Sequence, residues 1–168
     1  MMHKVTIAGL TMDPASNMPI VILKTQEDDR AIPIWIGLLE ATSIASALQD
    51  IKFERPMTHD LFKNFAELLE IRITRVEVVD IRDNTFYARI YCASTTSDFS
   101  MDARPSDAIA LALRFSAPIF VAEQVIEKSK SPPASGETGE ALDESEEGKK
   151  WAEYLENLSD EDFGKYKI

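Results

Sequence analysis

Ile73-Thr74-Arg75-Val76-Glu77-Val78-Val79-Asp80-Ile81 is followed, after Arg82-Asp83-Asn84, by Thr85-Phe86-Tyr87-Ala88-Arg89-Ile90-Tyr91-Cys92-Ala93. Both runs are rich in β-branched and aromatic residues, so each reads as a strand. Asn84 tolerates positive φ in the short connection, and the two runs close as a hairpin. What surrounds this hairpin decides the fold class. Upstream, Arg55-Pro56-Met57-Thr58-His59-Asp60 announces a helix: proline suits a first turn, Thr58 can cap, and Asp60 favours the positive helix N-terminus. Its apolar positions Leu61, Phe65, Leu68 and Leu69 are expected to face the core. Downstream, a strand over 98–103 leads into a helix that opens at Arg104-Pro105-Ser106-Asp107 and runs to Phe115, with Ile109, Leu111, Ala112 and Phe115 as its apolar surface.

Further out, residues 4–12 and 18–25 are two β-rich runs joined by Asp13-Pro14-Ala15-Ser16-Asn17. A third strand over 30–36 contains Pro33, which cannot donate to a ladder and so places this strand at a sheet edge. Gly37 breaks the run, and Leu38, Ala41, Ile44, Ala45 and Leu48 then fall at helical spacing. Ala117 to Ala122 reads as a short final strand. Strands and helices alternate irregularly, which predicts an α+β domain of antiparallel or mixed strands with about three helices, not a doubly wound parallel sheet. The domain spans 1–126. Residues 127–148 are rich in Ser, Pro, Gly and Glu without apolar periodicity and read as a flexible acidic linker. In 149–168, Trp151, Tyr154, Leu155 and Leu158 restore helical spacing.

Composition narrows the function. The 168 residues carry a net charge of −11, and residues 127–168 alone hold 12 acids against 6 bases. A stable coat on nucleic acid needs a surplus of Lys and Arg, so a repressor-like or chromatin-like binder is excluded, whereas transient contact through a few arginines or a metal is not. No apolar run approaches the roughly 18 residues of a membrane span, and the first residues enter strand-like alternation without a signal-peptide pattern. These features predict a cytoplasmic protein with no membrane partner. Cys92 is the single cysteine, which rules out an intramolecular disulfide and a thiolate zinc cluster. A P-loop, a dinucleotide-binding glycine fingerprint, an HExxH pair and a Gly-x-Ser-x-Gly elbow are all missing from the sequence.

Several segments occur together in fixed order: Ile32-Pro33-Ile34-Trp35-Ile36-Gly37 with Glu40-Ala41, Arg55-Pro56 with Thr58-His59-Asp60-Leu61, Asp83-Asn84-Thr85-Phe86-Tyr87-Ala88, Arg104-Pro105-Ser106-Asp107-Ala108-Ile109, and Ala117-Pro118-Ile119-Phe120-Val121. In this order and spacing the chain closely resembles the bifunctional nuclease family over most of residues 4–126. The resemblance implies a compact α+β domain and an activity on DNA and RNA of the kind shown by some plant members. A UVR-type helical motif, which some relatives append for partner binding, has no clear match here.

The residues that would carry such chemistry cluster at two helix starts. Arg104 and Arg55 suit bidentate phosphate contact, and Ser106 joins them as a phosphate-binding residue. Asp107, Asp60 and Glu40 are hard oxygen donors for Mg²⁺ or Mn²⁺. His59 suits a general base or acid near neutral pH, so His59, Asp60 and Asp107 form the expected catalytic set. Plainer readings stand beside these. Ser106, Asp107, Thr58 and Asp60 suit helix capping, and Glu40 suits the dipole at its own helix start. Trp35 is a base-stacking residue or core, and His3 lies at a fraying terminus. Two functions are therefore weighed: a metal-assisted phosphodiesterase with nucleic acid as transient substrate, and a non-catalytic module binding an anion, metabolite or partner. The proline-marked edge strand and the apolar tail residues also offer surfaces for a homo-oligomer.

Overall fold

The computed structural model describes residues 1–129. Eleven elements follow one another: strands β1 (Met2–Met12), β2 (Pro19–Thr25) and β3 (Ala31–Trp35), helices α1 (Leu38–Leu48) and α2 (Thr58–Leu68), strands β4 (Arg72–Arg82), β5 (Thr85–Ala93) and β6 (Asp98–Ala103), helix α3 (Pro105–Phe115), strand β7 (Ile119–Ala122) and helix α4 (Glu123–Ser129). The seven strands form one sheet in the order β3-β2-β1-β7-β4-β5-β6. Every neighbouring pair is antiparallel except β4–β7. The fold is α+β with a mixed sheet.

Local chemistry explains the frame. Asp83 and Asn84 both take positive φ, 47° and 60°, which is the two-residue turn whose twist suits a hairpin. Arg82 pairs with Thr85 across it. Pro33 sits on β3, at the sheet edge, opposite Ile22, where the missing N–H leaves no ladder bond unmade. Val21, Leu23, Ile32, Ile34, Val76, Val78 and Val121 of the sheet are fully buried with Ile44 of α1 and Ile109 of α3. Helix α3 is the central helix: Pro105, Ser106 and the run Ala108–Ala112 are all buried.

Several expectations from the sequence are corrected. Leu61, Phe65, Leu68 and Leu69 do not face the core; they are 53–82% exposed, and Ala66 is the buried residue of α2. Periodicity shows that a helix has two faces, not which of them finds a neighbour. His3 is not at a frayed end: it is buried, pairs with Val121 of β7, and its ring lies between Glu27 and Glu123. Trp35 is half-buried and donates its indole N–H to Asp13 at 2.9 Å, so it ties β3 to the β1–β2 turn. Helix α4 was not legible in the sequence and carries the described structure to Ser129. It is held by Lys128 to Asp80 and Ile81, and by Gln124 to the Val79 carbonyl. The rest of the expected acidic linker, and the helical spacing of 149–168, lie outside the described residues. Among those described, no helix is long and apolar enough to cross a membrane.

Candidate active site

Three helices bring the polar residues together. Gly37 precedes α1, which presents Glu40 and Ser43 one turn apart. Helix α2 carries His59 and Asp60 in its first turn. Helix α3 carries Asp107 in its first turn and Arg114 in its last. Residues 107 and 114 are seven apart, two helical turns, so both project from the same side of α3.

A continuous hydrogen-bonded line joins them. Ser43 Oγ lies 2.7 Å from His59 Nδ1, and His59 Nε2 lies 2.9 Å from Asp107 Oδ1. The other oxygen of Asp107 accepts from Arg104 Nε at 2.9 Å, and Arg104 reaches Glu40 at 3.0 Å. The hydrogen bond from His59, and then Arg104, hold the Asp107 carboxyl below its ordinary value, against burial, which pushes it up. Asp107 is therefore an acceptor at neutral pH. Nε2 therefore donates to Asp107, and Nδ1 shares a hydrogen bond with the Ser43 hydroxyl. A second line runs alongside. Arg114, only 7% exposed, donates from Nε to Asp60 at 2.6 Å and also reaches the carbonyls of Ser43 and Ala110.

The expected residues divide accordingly. His59, Asp107, Arg104 and Glu40 form one network, and Asp60 joins it through Arg114 and Ser43. Asp60 also accepts from the Met57 backbone N–H at 3.1 Å, so it secures the start of α2, and Thr58 lies just inside the helix. Ser106 is buried at the start of α3, outside the network. Arg55 is exposed ahead of α2 and makes no ion pair among the described residues. Arg104, at the N-cap of α3, makes no side-chain cap, and both oxygens of Asp107 are taken by His59 and Arg104. Sequence reasoning missed Ser43 and Arg114. The available signal for Arg114 was a single cation late in the otherwise apolar run Ala108–Phe115, which needs a carboxylate partner if buried.

The carboxylates do not fit a resident divalent ion in this arrangement. Such an ion needs several hard oxygens around one point. Here the Arg104 guanidinium bridges Glu40 and Asp107, and Asp60 is turned to Arg114. Among the described residues, no group of three or more His, Cys, Asp or Glu side chains is gathered to hold a metal. Behind Arg114 an open groove of about 540 Å³ is lined by Lys63, Glu67, Arg72, Arg114 and Phe115, with three cations against one acid.

The bifunctional nuclease domain family matches residues 21–134, a span containing every residue of both networks. The chain belongs to this family. An uncharacterized protein of Mycobacterium tuberculosis strain H37Rv is 34% identical over 164 residues, covering 96% of this chain and 98% of its own. Bifunctional nuclease 1 of Oryza sativa subsp. japonica is 27% identical over 116 residues, 67% of this chain and 35% of that one. Bifunctional nuclease 1 of Arabidopsis thaliana is 27% identical over 135 residues, 72% of this chain and 41% of its own. The chain thus spans about a third to two fifths of the plant proteins and nearly the whole of the mycobacterial one.

Proposed function

We propose that the chain hydrolyses phosphodiester bonds in nucleic acid, with His59 as general base and Asp107 as the residue that positions it. The observation that carries this reading is the Ser43–His59–Asp107 line, at 2.7 and 2.9 Å. An imidazole held at one nitrogen by a carboxylate has one orientation and one tautomer, and its free lone pair is aimed. Here the lone pair is on Nδ1. A water that takes over the Ser43 hydrogen bond would lose its proton to Nδ1 as it attacks phosphorus. The imidazolium so formed faces the Asp107 carboxylate, which stabilises it. His59 then returns the proton to the departing oxygen.

Arg104, half exposed, would contact the phosphate, and exposed Arg55 a neighbouring one. Lys63 and Arg72 would draw a polyanion along the groove behind Arg114. These few cations suit brief contact in a chain of net charge −11. Because Arg104 already bridges Glu40 and Asp107, an added Mg²⁺ or Mn²⁺ would have to displace the guanidinium.

The test is cleavage of single-stranded DNA and RNA by the full chain and by His59→Ala, with Mg²⁺, with Mn²⁺ and with chelator. We expect cleavage that His59→Ala abolishes and that survives the chelator. Equal cleavage by both preparations would mean a contaminating nuclease. No cleavage by wild type under any condition, with retained binding of the same oligonucleotides, would favour the binding-module reading.

A further inference from the structure

Helix α2 is inverted relative to an ordinary surface helix. Its inward side carries His59, Asp60 and Ala66, held by Asp107, Arg114 and the body of the domain. At about 100° per residue, Leu61, Phe62, Phe65, Leu68 and Leu69 fall within one arc of about 120° on the opposite side. They are 59%, 37%, 59%, 82% and 53% exposed. Scattered exposed leucines need no explanation, but five large apolar side chains in one contiguous arc mark an interaction surface.

We propose that this face is the contact between two copies of the chain, which pair α2 against α2 about a two-fold axis. Two observations favour a second copy over a foreign partner. The first is area. Large side chains present roughly 150–250 Å² each when open, so these five leave on the order of 600 Å² on one helix. Two such faces remove about 1,200 Å² from water, where specific interfaces begin. The second is charge. The arc contains no charged residue; Thr58 is the polar residue that falls within it. Identical faces brought together therefore set no like charges opposite each other, although each chain carries a net charge of −11. A two-fold contact requires this self-compatibility, because every residue of the patch meets the same patch on its mate. The pairing also gives α2 an apolar anchor that Ala66 alone does not supply within one copy.

The experiment is sedimentation velocity on the full chain at tens of micromolar, beside Leu68→Glu and Phe65→Glu. Both positions are exposed in the single chain, so neither change removes a core contact. We expect a dimer for wild type and a dissociation constant at least 100-fold weaker for each variant, with unchanged circular dichroism. As an independent check, Phe65→Cys in the full chain should form a reducible covalent dimer under mild oxidation, since Cys92 is buried. A monomeric wild type, or a dimer that persists in both variants, overturns the proposal. A monomeric wild type whose Trp151 emission shifts to the red in Leu68→Glu would overturn it in favour of the chain's own C-terminal residues covering α2.

Discussion

His59 Nε2 and Asp107 Oδ1 meet at 2.9 Å from the first turns of two different helices, 48 residues apart in the chain. Each helix start has another reason to exist: Met57 N–H to Asp60 secures the first, and Pro105 preorganises the second. Both N-terminal ends carry partial positive charge, which favours an ionised Asp107 between them. Ser43 holds the second ring nitrogen at 2.7 Å and Arg104 the second carboxylate oxygen at 2.9 Å, so a reacting water has to take the place of the Ser43 hydroxyl at Nδ1.

Ser43 separates two versions of that chemistry. If Ser43 only orients the His59 ring before water takes its place, Ser43→Ala should lower turnover by no more than about 10–100-fold, the range for partners that orient a metal-bound histidine, without abolishing it. Steady-state cleavage beside mass spectrometry of a quenched reaction checks this. Complete loss in Ser43→Ala, with a phosphoseryl adduct trapped in wild type, would instead make Ser43 Oγ the nucleophile.

Arg114 is expected to be the structural partner of the site. Arg114→Met keeps an elongated apolar stem but removes the donor to Asp60 Oδ1, while the Ser43 carbonyl still accepts from Ser46 Oγ at 3.0 Å. An unmade bond to a partly buried polar group costs about 1–3 kcal/mol. The urea midpoint should fall by a corresponding amount with an unchanged slope. A midpoint within error of wild type would show that water replaces the guanidinium at no cost.

Acid sensitivity follows from depressed carboxylates. Asp80, beside Arg82 and Lys128, lies at about 2 in the folded chain, against an ordinary 3.8. Asp107 is lowered chiefly by His59, and Glu123 chiefly by Arg30. Groups with lowered folded values contribute stability that is fully present above their unfolded values and is lost as pH falls through the folded ones. The melting temperature should therefore be flat above about pH 5 and fall steeply between pH 4 and 2. Asp80→Asn should make the fall shallower. An unchanged slope in that variant would mean that other carboxylates govern acid unfolding.

Much of the frame was legible because local signals and global topology agreed. Asp83-Asn84 fixes a hairpin, Pro33 fixes an edge, and Pro105 fixes a helix start. The outward face of α2 was not legible, since Leu61, Phe65, Leu68 and Leu69 show the same spacing whether they are covered by the core or by another chain. At the site, His59, Asp107, Arg104 and Glu40 stand out as polar residues at helix starts. Ser43 does not, because a serine inside a helix carries no mark of what it faces. The pairing of Asp60 with Arg114 depends on how α2 crosses α3, which is a long-range property.

One variant separates an Asp107 that positions a base from an Asp107 that only shapes a helix start. Asp107→Asn keeps the size of the side chain and removes its charge, so the measurement is cleavage rate per folded molecule and melting temperature on one preparation of that variant. We expect turnover to fall about 10²–10⁴-fold, as when the carboxylate behind a catalytic histidine is neutralised, with the melting temperature within a few degrees of wild type. Wild-type turnover in Asp107→Asn, with or without a change in melting temperature, would show that Asp107 does not position the base.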